Sequence, residues 1–243
     1  MGPAATLRWM EVMTGSGAAR VELDGPKHPA FWLALTHGAG GGVDSADLLA
    51  AGQAGAALGG AVTRVLQPYR VRGARAPGSP DRQDAAWLEV IAQIRPRFAG
   101  IPLVQGGRSN GARLACRTAR AAGALAVVAL AFPLHPPGRP ERSRAGELRD
   151  AGAPVLVVNG DRDPFGIPDA ADAARVVVLP GQTHALSRRP EEIRQAVETW
   201  LREVLEPSAR VPSALTGRCR ALRAGPDAPA GRPAARGLGP GPD

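Results

Sequence analysis

The stretch Leu103-Val104-Gln105-Gly106-Gly107-Arg108-Ser109-Asn110-Gly111-Ala112-Arg113-Leu114-Ala115 decides how the chain is read. An apolar, strand-like run enters it and an Ala- and Arg-rich helical pattern leaves it. Between them lies a G-x-S-x-G turn made by Gly107, Ser109 and Gly111. Two small residues flanking a serine let a strand and a helix approach closely around a tight turn. Such a turn holds the hydroxyl out at the end of a sheet strand. The motif alone is weak in a chain with 31 glycines, so the strand before it and the helix after it carry the inference.

Outward from this turn, apolar runs alternate with helical patterns. Strands are expected at Ala30 to Thr36, Ala61 to Leu66, Ile101 to Gln105, Ala126 to Ala131, Pro154 to Asn159 and Arg175 to Leu179. Helices are expected at Asp44 to Leu58, with Asp44 or Ser45 as N-cap, at Asp81 to Phe98, at Asn110 to Ala122 and at Pro190 to Leu205. A shorter helix is expected near Pro168 to Ala174. The strands are continuously apolar rather than alternating, which implies burial on both faces. Alternation of this kind predicts an α/β fold, a mostly parallel doubly wound sheet with helices on both faces. Leu7 to Thr14 and Ala19 to Leu23 read as edge hairpin strands.

The chain has 243 residues, enough for one domain with a sizeable core. Residues 1–206 are assigned to that domain. Residues 207–243, rich in Pro, Gly, Ala and Arg without sustained apolar periodicity, read as a disordered tail. Pro133 to Arg149 reads as a Pro- and Arg-rich excursion at a sheet edge, able to overhang the site. The net charge is +8, and Lys27 is the only lysine among 30 basic residues. The arginines are scattered and aromatics make up only 4%, so a nucleic-acid partner is not expected. No apolar run reaches the roughly 18 residues of a membrane helix, and no secretory signal is visible. With only Cys116 and Cys219, a disulfide is not expected and a cytoplasmic location fits. Oligomeric state is left open.

A serine is a poor nucleophile unless a base takes its proton and a third group orients the base. Two loops at carboxyl ends of expected strands supply candidates, which is where open α/β sheets place their sites. One is Gly160-Asp161-Arg162-Asp163-Pro164-Phe165-Gly166; the other is Pro180-Gly181-Gln182-Thr183-His184-Ala185-Leu186. His184 is preferred as the base over His28 and His135, neither of which follows a sheet strand. Asp163 is preferred over Asp161 as the orienting acid, because Asp161 is placed to cap a turn. After the first buried strand comes Thr36-His37-Gly38-Ala39-Gly40-Gly41-Gly42. It lacks the Gly-Lys-Ser/Thr ending of a phosphate loop, and no acid ends the next strand as a dinucleotide fingerprint requires. It reads instead as an oxyanion loop. The N–H of Gly38 or Ala39 would be one donor and the N–H of Asn110 the other. His37 is expected to brace this loop. No cofactor or metal is implied.

Together these four segments resemble the α/β-hydrolase superfamily over roughly Ala19 to Leu205. They look most like a small lidless branch whose elbow reads Gly-Gly-Arg-Ser-x-Gly, neighbours of the dienelactone hydrolases. The resemblance implies a catalytic triad on Ser109, Asp163 and His184. Dienelactone hydrolases proper carry cysteine where this chain has Ser109, and the branch often has methionine where this chain has Asn110. The function implied is hydrolysis of a small ester or thioester by acyl transfer to water. The alternative is a catalytically idle scaffold that binds a partner through the same fold.

Overall fold

A computed structural model describes residues 8–206. The expected tail at 207–243, with Cys219, lies outside the described residues. The fold opens with an antiparallel hairpin, β1 (Arg8–Thr14) and β2 (Gly17–Asp24). Then come β3 (Trp32–Thr36), α1 (Ala46–Ala57), β4 (Ala61–Leu66), α2 (Pro68–Val71) and α3 (Pro80–Ile94). They are followed by β5 (Leu103–Arg108), α4 (Asn110–Ala122), β6 (Ala126–Leu130) and α5 (Ala145–Arg149). The last elements are β7 (Val155–Gly160), β8 (Arg175–Leu179) and α6 (Pro190–Leu205). One sheet takes all eight strands in the order β1-β2-β4-β3-β5-β6-β7-β8. The hairpin pairs antiparallel to β4, and every pairing from β4 to β8 is parallel. This is the α/β architecture expected from the alternation of strand and helix patterns.

Helices cover both faces because successive side chains of a central strand point to opposite sides. In β3, Leu33 and Leu35 join a core with Leu48 and Ala54 of α1 and Ile193 and Leu201 of α6. Trp32 and Ala34 face the other way, into a core with Trp87, Val90 and Ile94 of α3 and Leu114 of α4. A third cluster packs Ala115 and Ala119 of α4 against Val127 and Ala129 of β6.

Several boundaries move for identifiable reasons. Strand β5 runs on through Gly106, Gly107 and Arg108 because it is paired on both sides, to β3 and to β6, and ladder pairing outweighs the poor strand propensity of glycine. The helix expected to reach Phe98 stays α-helical only to Ile94. It tightens into a 3₁₀ turn at Arg95–Phe98, where Pro96 has no N–H to donate. Ser45 occupies the N-cap of α1, but its side chain makes no capping bond and its buried oxygen has no hydrogen-bond partner among the described residues. The short helix expected near Pro168 is one 3₁₀ turn, Ala170–Asp172, closed by a reciprocal Asp169–Asp172 capping box. The excursion after β6 leaves an interior strand, since β6 lies between β5 and β7; the expectation of a sheet edge is corrected. Its end forms α5, clasped to α4 by a two-pronged ion pair from Arg113 to Glu147.

Candidate active site

Parallel strands bring their carboxyl ends to one edge of the sheet. There, β3, β5, β7 and β8 end in the four segments singled out by sequence. At the end of β5 the chain turns through Ser109, which holds φ 52° and ψ −115°. A non-glycine residue in this region costs on the order of 1–3 kcal/mol and persists only where its surroundings impose it. Here they do. The Ser109 N–H donates to the Leu130 carbonyl at 2.8 Å. A side chain on Gly107 would place its Cβ 2.7 Å from the Thr36 carbonyl oxygen and from the Gly111 backbone. One on Gly111 would lie 2.6 Å from the His37 carbonyl oxygen. Only glycine allows strand β3, the turn and α4 to meet at these distances.

The Ser109 hydroxyl lies 2.9 Å from His184 Nε2, and His184 Nδ1 lies 2.8 Å from Asp163 Oδ2. The structure thus brings together a hydroxyl, an imidazole and a carboxylate from the ends of β5, β8 and β7. The Asp163 side chain is completely buried. Its other oxygen accepts the Phe165 N–H at 2.9 Å. The Asn159 side-chain amide donates to the Phe132 and Gly166 carbonyls, 3.0 and 3.3 Å away, which ties β7 to the end of β6 and to the acid loop. Asp161 is exposed, and its side chain makes no hydrogen bond among the described residues. The Phe165 ring packs against the His184 imidazole with centroids 4.3 Å apart and planes inclined at 52°. His28 is exposed in the loop before β3, and His135 packs against Gly166 of the acid loop.

The loop after β3 folds back beside the serine. A Cβ on Gly38 would lie 3.2 Å from that of Ser109. Three of the loop's carbonyls accept hydrogen bonds from side chains. His37 Nε2 accepts the Gln67 N–H at 2.9 Å, so the proton sits on Nδ1, which donates to the Gly38 carbonyl at 2.7 Å. Burial lowers the His37 pKa to about 4, so the ring is neutral. The Tyr69 hydroxyl donates to the Ala39 carbonyl at 2.9 Å, and Arg70 Nε to the Gly41 carbonyl at 2.9 Å. Asn110 is the first residue of α4, so its N–H has no carbonyl one turn back to bond.

Sequence reasoning passed over several residues that hold this edge together. Tyr69 and Arg70 belong to α2, whose four residues are too short to show periodicity, although Tyr69 is the only tyrosine in the chain. Arg108, quoted with the motif but given no role, spans three segments. Its Nε donates to the fully buried Asp47 at 2.7 Å and its Nη2 to the His184 carbonyl at 2.9 Å. Gln83 of α3 accepts from the Asn110 side chain at 2.6 Å. Cys116 is buried in α4, where burial pushes its thiol pKa up and keeps it protonated. Among the described residues, no three His, Cys, Asp or Glu side chains converge as a metal site would require, and no helix is long and apolar enough to cross a membrane.

A family model described as an alpha/beta hydrolase domain matches residues 29–212. The chain belongs to the α/β-hydrolase family. Solved structures share the fold at low identity. XC6422 from Xanthomonas campestris, described as an α/β serine hydrolase without a lid, matches with a TM-score of 0.63 and 21% identity over 84% of this chain and 96% of its own. Est1E from Butyrivibrio proteoclasticus, with ferulic acid bound, gives 0.66 and 17% over 81% and 99%. Dienelactone hydrolase from Anabaena variabilis gives 0.65 and 17% over 82% and 98%. No curated protein matches the chain.

Proposed function

We propose that this member of the α/β-hydrolase family is a serine hydrolase that cleaves a small carboxylic ester or thioester. The observation that carries the reading is the unbroken line from the Asp163 carboxylate through both His184 nitrogens to the hydroxyl of a strained serine. In this reading His184 Nε2 takes the Ser109 proton as Oγ attacks the acyl carbon. Asp163, whose carboxylate faces Nδ1–H, fixes the tautomer and stabilises the imidazolium that forms. The charge on the carbonyl oxygen is met by the N–H of Asn110 and that of Gly38 or Ala39. His184 then protonates the leaving alkoxide or thiolate. A water activated by the same imidazole releases the acyl group from Ser109 and restores the enzyme. The cost of holding Ser109 at positive φ is consistent with a residue kept for chemistry rather than for packing. The esterase and serine hydrolase among its structural relatives agree with this reading.

The test is labelling by a fluorophosphonate probe together with hydrolysis of short aryl esters. Both are expected in the wild-type protein. Both should vanish in Ser109→Ala with the melting temperature unchanged, because alanine fits where a small side chain already sits. Retention of more than about a tenth of the activity, under ~1.4 kcal/mol of barrier, would refute the assignment.

A further inference from the structure

Strand β1 closes one end of the sheet, and among the described residues no strand pairs with its outer side. An unpaired edge offers a row of N–H and C=O groups to any strand that fits, and natural edges are blunted by proline, bulges or many charges. Strand β1 runs seven residues with no proline and no break in its pairing to β2. Trp9, Glu11 and Met13 share its exposed face, while Met10 and Val12 join the core beneath. Trp9 and Met13 are 57% and 64% exposed, more than any other large apolar side chain among the described residues. The opposite edge, β8, exposes only Val178, at 42%.

The geometry of this edge selects a copy of itself. Gly15 and Ser16 make a two-residue turn, closed by the pair Thr14 and Gly17. Backbone groups alternate along an antiparallel strand, so those of Trp9, Glu11 and Met13 point away from β2. The Met13 carbonyl is indeed open to a partner outside the sheet. It accepts Gln93 Nε2 of α3 at 2.7 Å and keeps a second lone pair. Consider a second copy laid antiparallel, with its Glu11 opposite this one. Trp9 then faces Met13 of the second copy, and Met13 faces Trp9 of the second copy. Every outward N–H of the three residues meets an outward carbonyl. A shift of two residues either way runs Trp9 or Met13 past the end of the facing strand.

The side chains agree with the backbone. A thioether against an aromatic ring is a favourable contact. A hollow of about 290 Å³, lined by Trp9, Met10, Glu11 and Arg20, gives the incoming methionine room. Glu11 meets its like, yet each carboxylate lies 3.5 Å from Arg20 on β2, so the row across the joined strands carries no net charge. On the other face Met10 meets Val12 of the second copy and extends the apolar layer against α3. We propose that β1 pairs antiparallel with β1 of a second copy of this chain, joining two sheets about a two-fold axis at Glu11. The proposal does not depend on the chemistry at Ser109.

Sedimentation equilibrium of the full chain is expected to show a monomer–dimer equilibrium. Glu11→Lys leaves only cations in the central row and should weaken the dimer about tenfold or more. Its circular dichroism should match the wild type, because the Glu11 side chain is exposed. Glu11→Cys, in a Cys219→Ser background, should be joined to its own copy by a short bis-maleimide. Val178→Cys on the opposite edge, in the same background, should not. A monomer at every concentration overturns the inference, whether the edge stays open or another segment of the chain covers it. So does a dimer that Glu11→Lys leaves intact, or one that does not link through Glu11→Cys.

Discussion

The loops after β3 and after β8 each carry a histidine at the edge of the sheet where Ser109 lies, and their surroundings make them opposites. His37 is fully buried, with both ring nitrogens spent on backbone groups, Gln67 N–H and the Gly38 carbonyl. His184 is partly exposed, with one nitrogen facing a carboxylate and the other a hydroxyl. The same side chain is structure in the first loop and, in our proposal, a base in the second. The difference lies in what each nitrogen faces. A ring bonded only to the backbone has no mobile proton to give, whereas one set between Asp163 and Ser109 can accept a proton and be stabilised once it has done so.

The largest effect expected from breaking this contrast is on turnover. His184→Ala should lower kcat by several decades, and its effect on stability comes from the buried Asp163 carboxylate losing its Nδ1–H partner, since no buried backbone group is left unsatisfied. His37→Ala should do the reverse in kind, with a smaller loss of kcat and a drop in stability of about 1–3 kcal/mol. That is the cost of leaving the buried Gln67 N–H and Gly38 carbonyl unsatisfied. Steady-state kinetics and thermal melting of both variants check the pair; a larger kcat loss in folded His37→Ala would reverse the assignment.

Next in size is the acid. Asp163→Asn should cost about 10⁴ in kcat, because an amide facing Nδ1 favours the wrong histidine tautomer. Asp161→Asn should leave kcat unchanged, as its exposed side chain makes no hydrogen bond among the described residues. Equal and small losses in the two variants would place the orienting acid elsewhere.

The contrast also predicts a pH signature. The unfolded chain protonates His37 near 6.5, while in the fold burial lowers its pKa to about 4. Between those values the unfolded state binds a proton that the folded state does not, so stability rises with pH through this window and is lost on acidification. The loss attributable to His37 is about 3 kcal/mol from pH 6.5 to pH 4. Denaturant melts at a series of pH values should show that slope in the wild type and a shallower one in His37→Asn. Parallel slopes would mean that His37 titrates normally in the fold.

The smallest effect sharpens the role of Arg108, which ties the histidine loop to α1. Arg108→Lys keeps a cation beside Asp47 but gives up the fork that also reaches the His184 carbonyl. A loss of about tenfold in kcat with KM little changed is expected, equivalent to ~1.4 kcal/mol. A change in KM alone would show that Arg108 acts on substrate binding instead.

Much of the fold was legible because its signals are local. Strands β4 and β8 and helices α4 and α6 lie where the patterns put them, between strong punctuation such as Gly123 after α4 and Pro190 at the start of α6. Ser109, Asp163 and His184 stood out because each follows an apolar strand in a loop that no packing argument explains. Tyr69, Gln83, Arg108 and Asn159 did not stand out. Each acts through partners between 4 and 77 residues away in the chain, and a lone Arg or Gln says nothing of what it will meet.

What the chain determined by itself is therefore the alternation of strand and helix, the parallel sheet it implies, and the glycine spacing that permits a serine turn. Hydrophobic period and glycine placement act over a few residues and can be read there. The strand order, the meeting of β5, β7 and β8 at one edge, and the partners that each of the two histidines finds were decided only by tertiary structure, although the sequence already set His184 and His37 apart. Burial and hydrogen-bond partners set what an imidazole can do, and both are properties of the space around the ring rather than of the residues beside it in the chain.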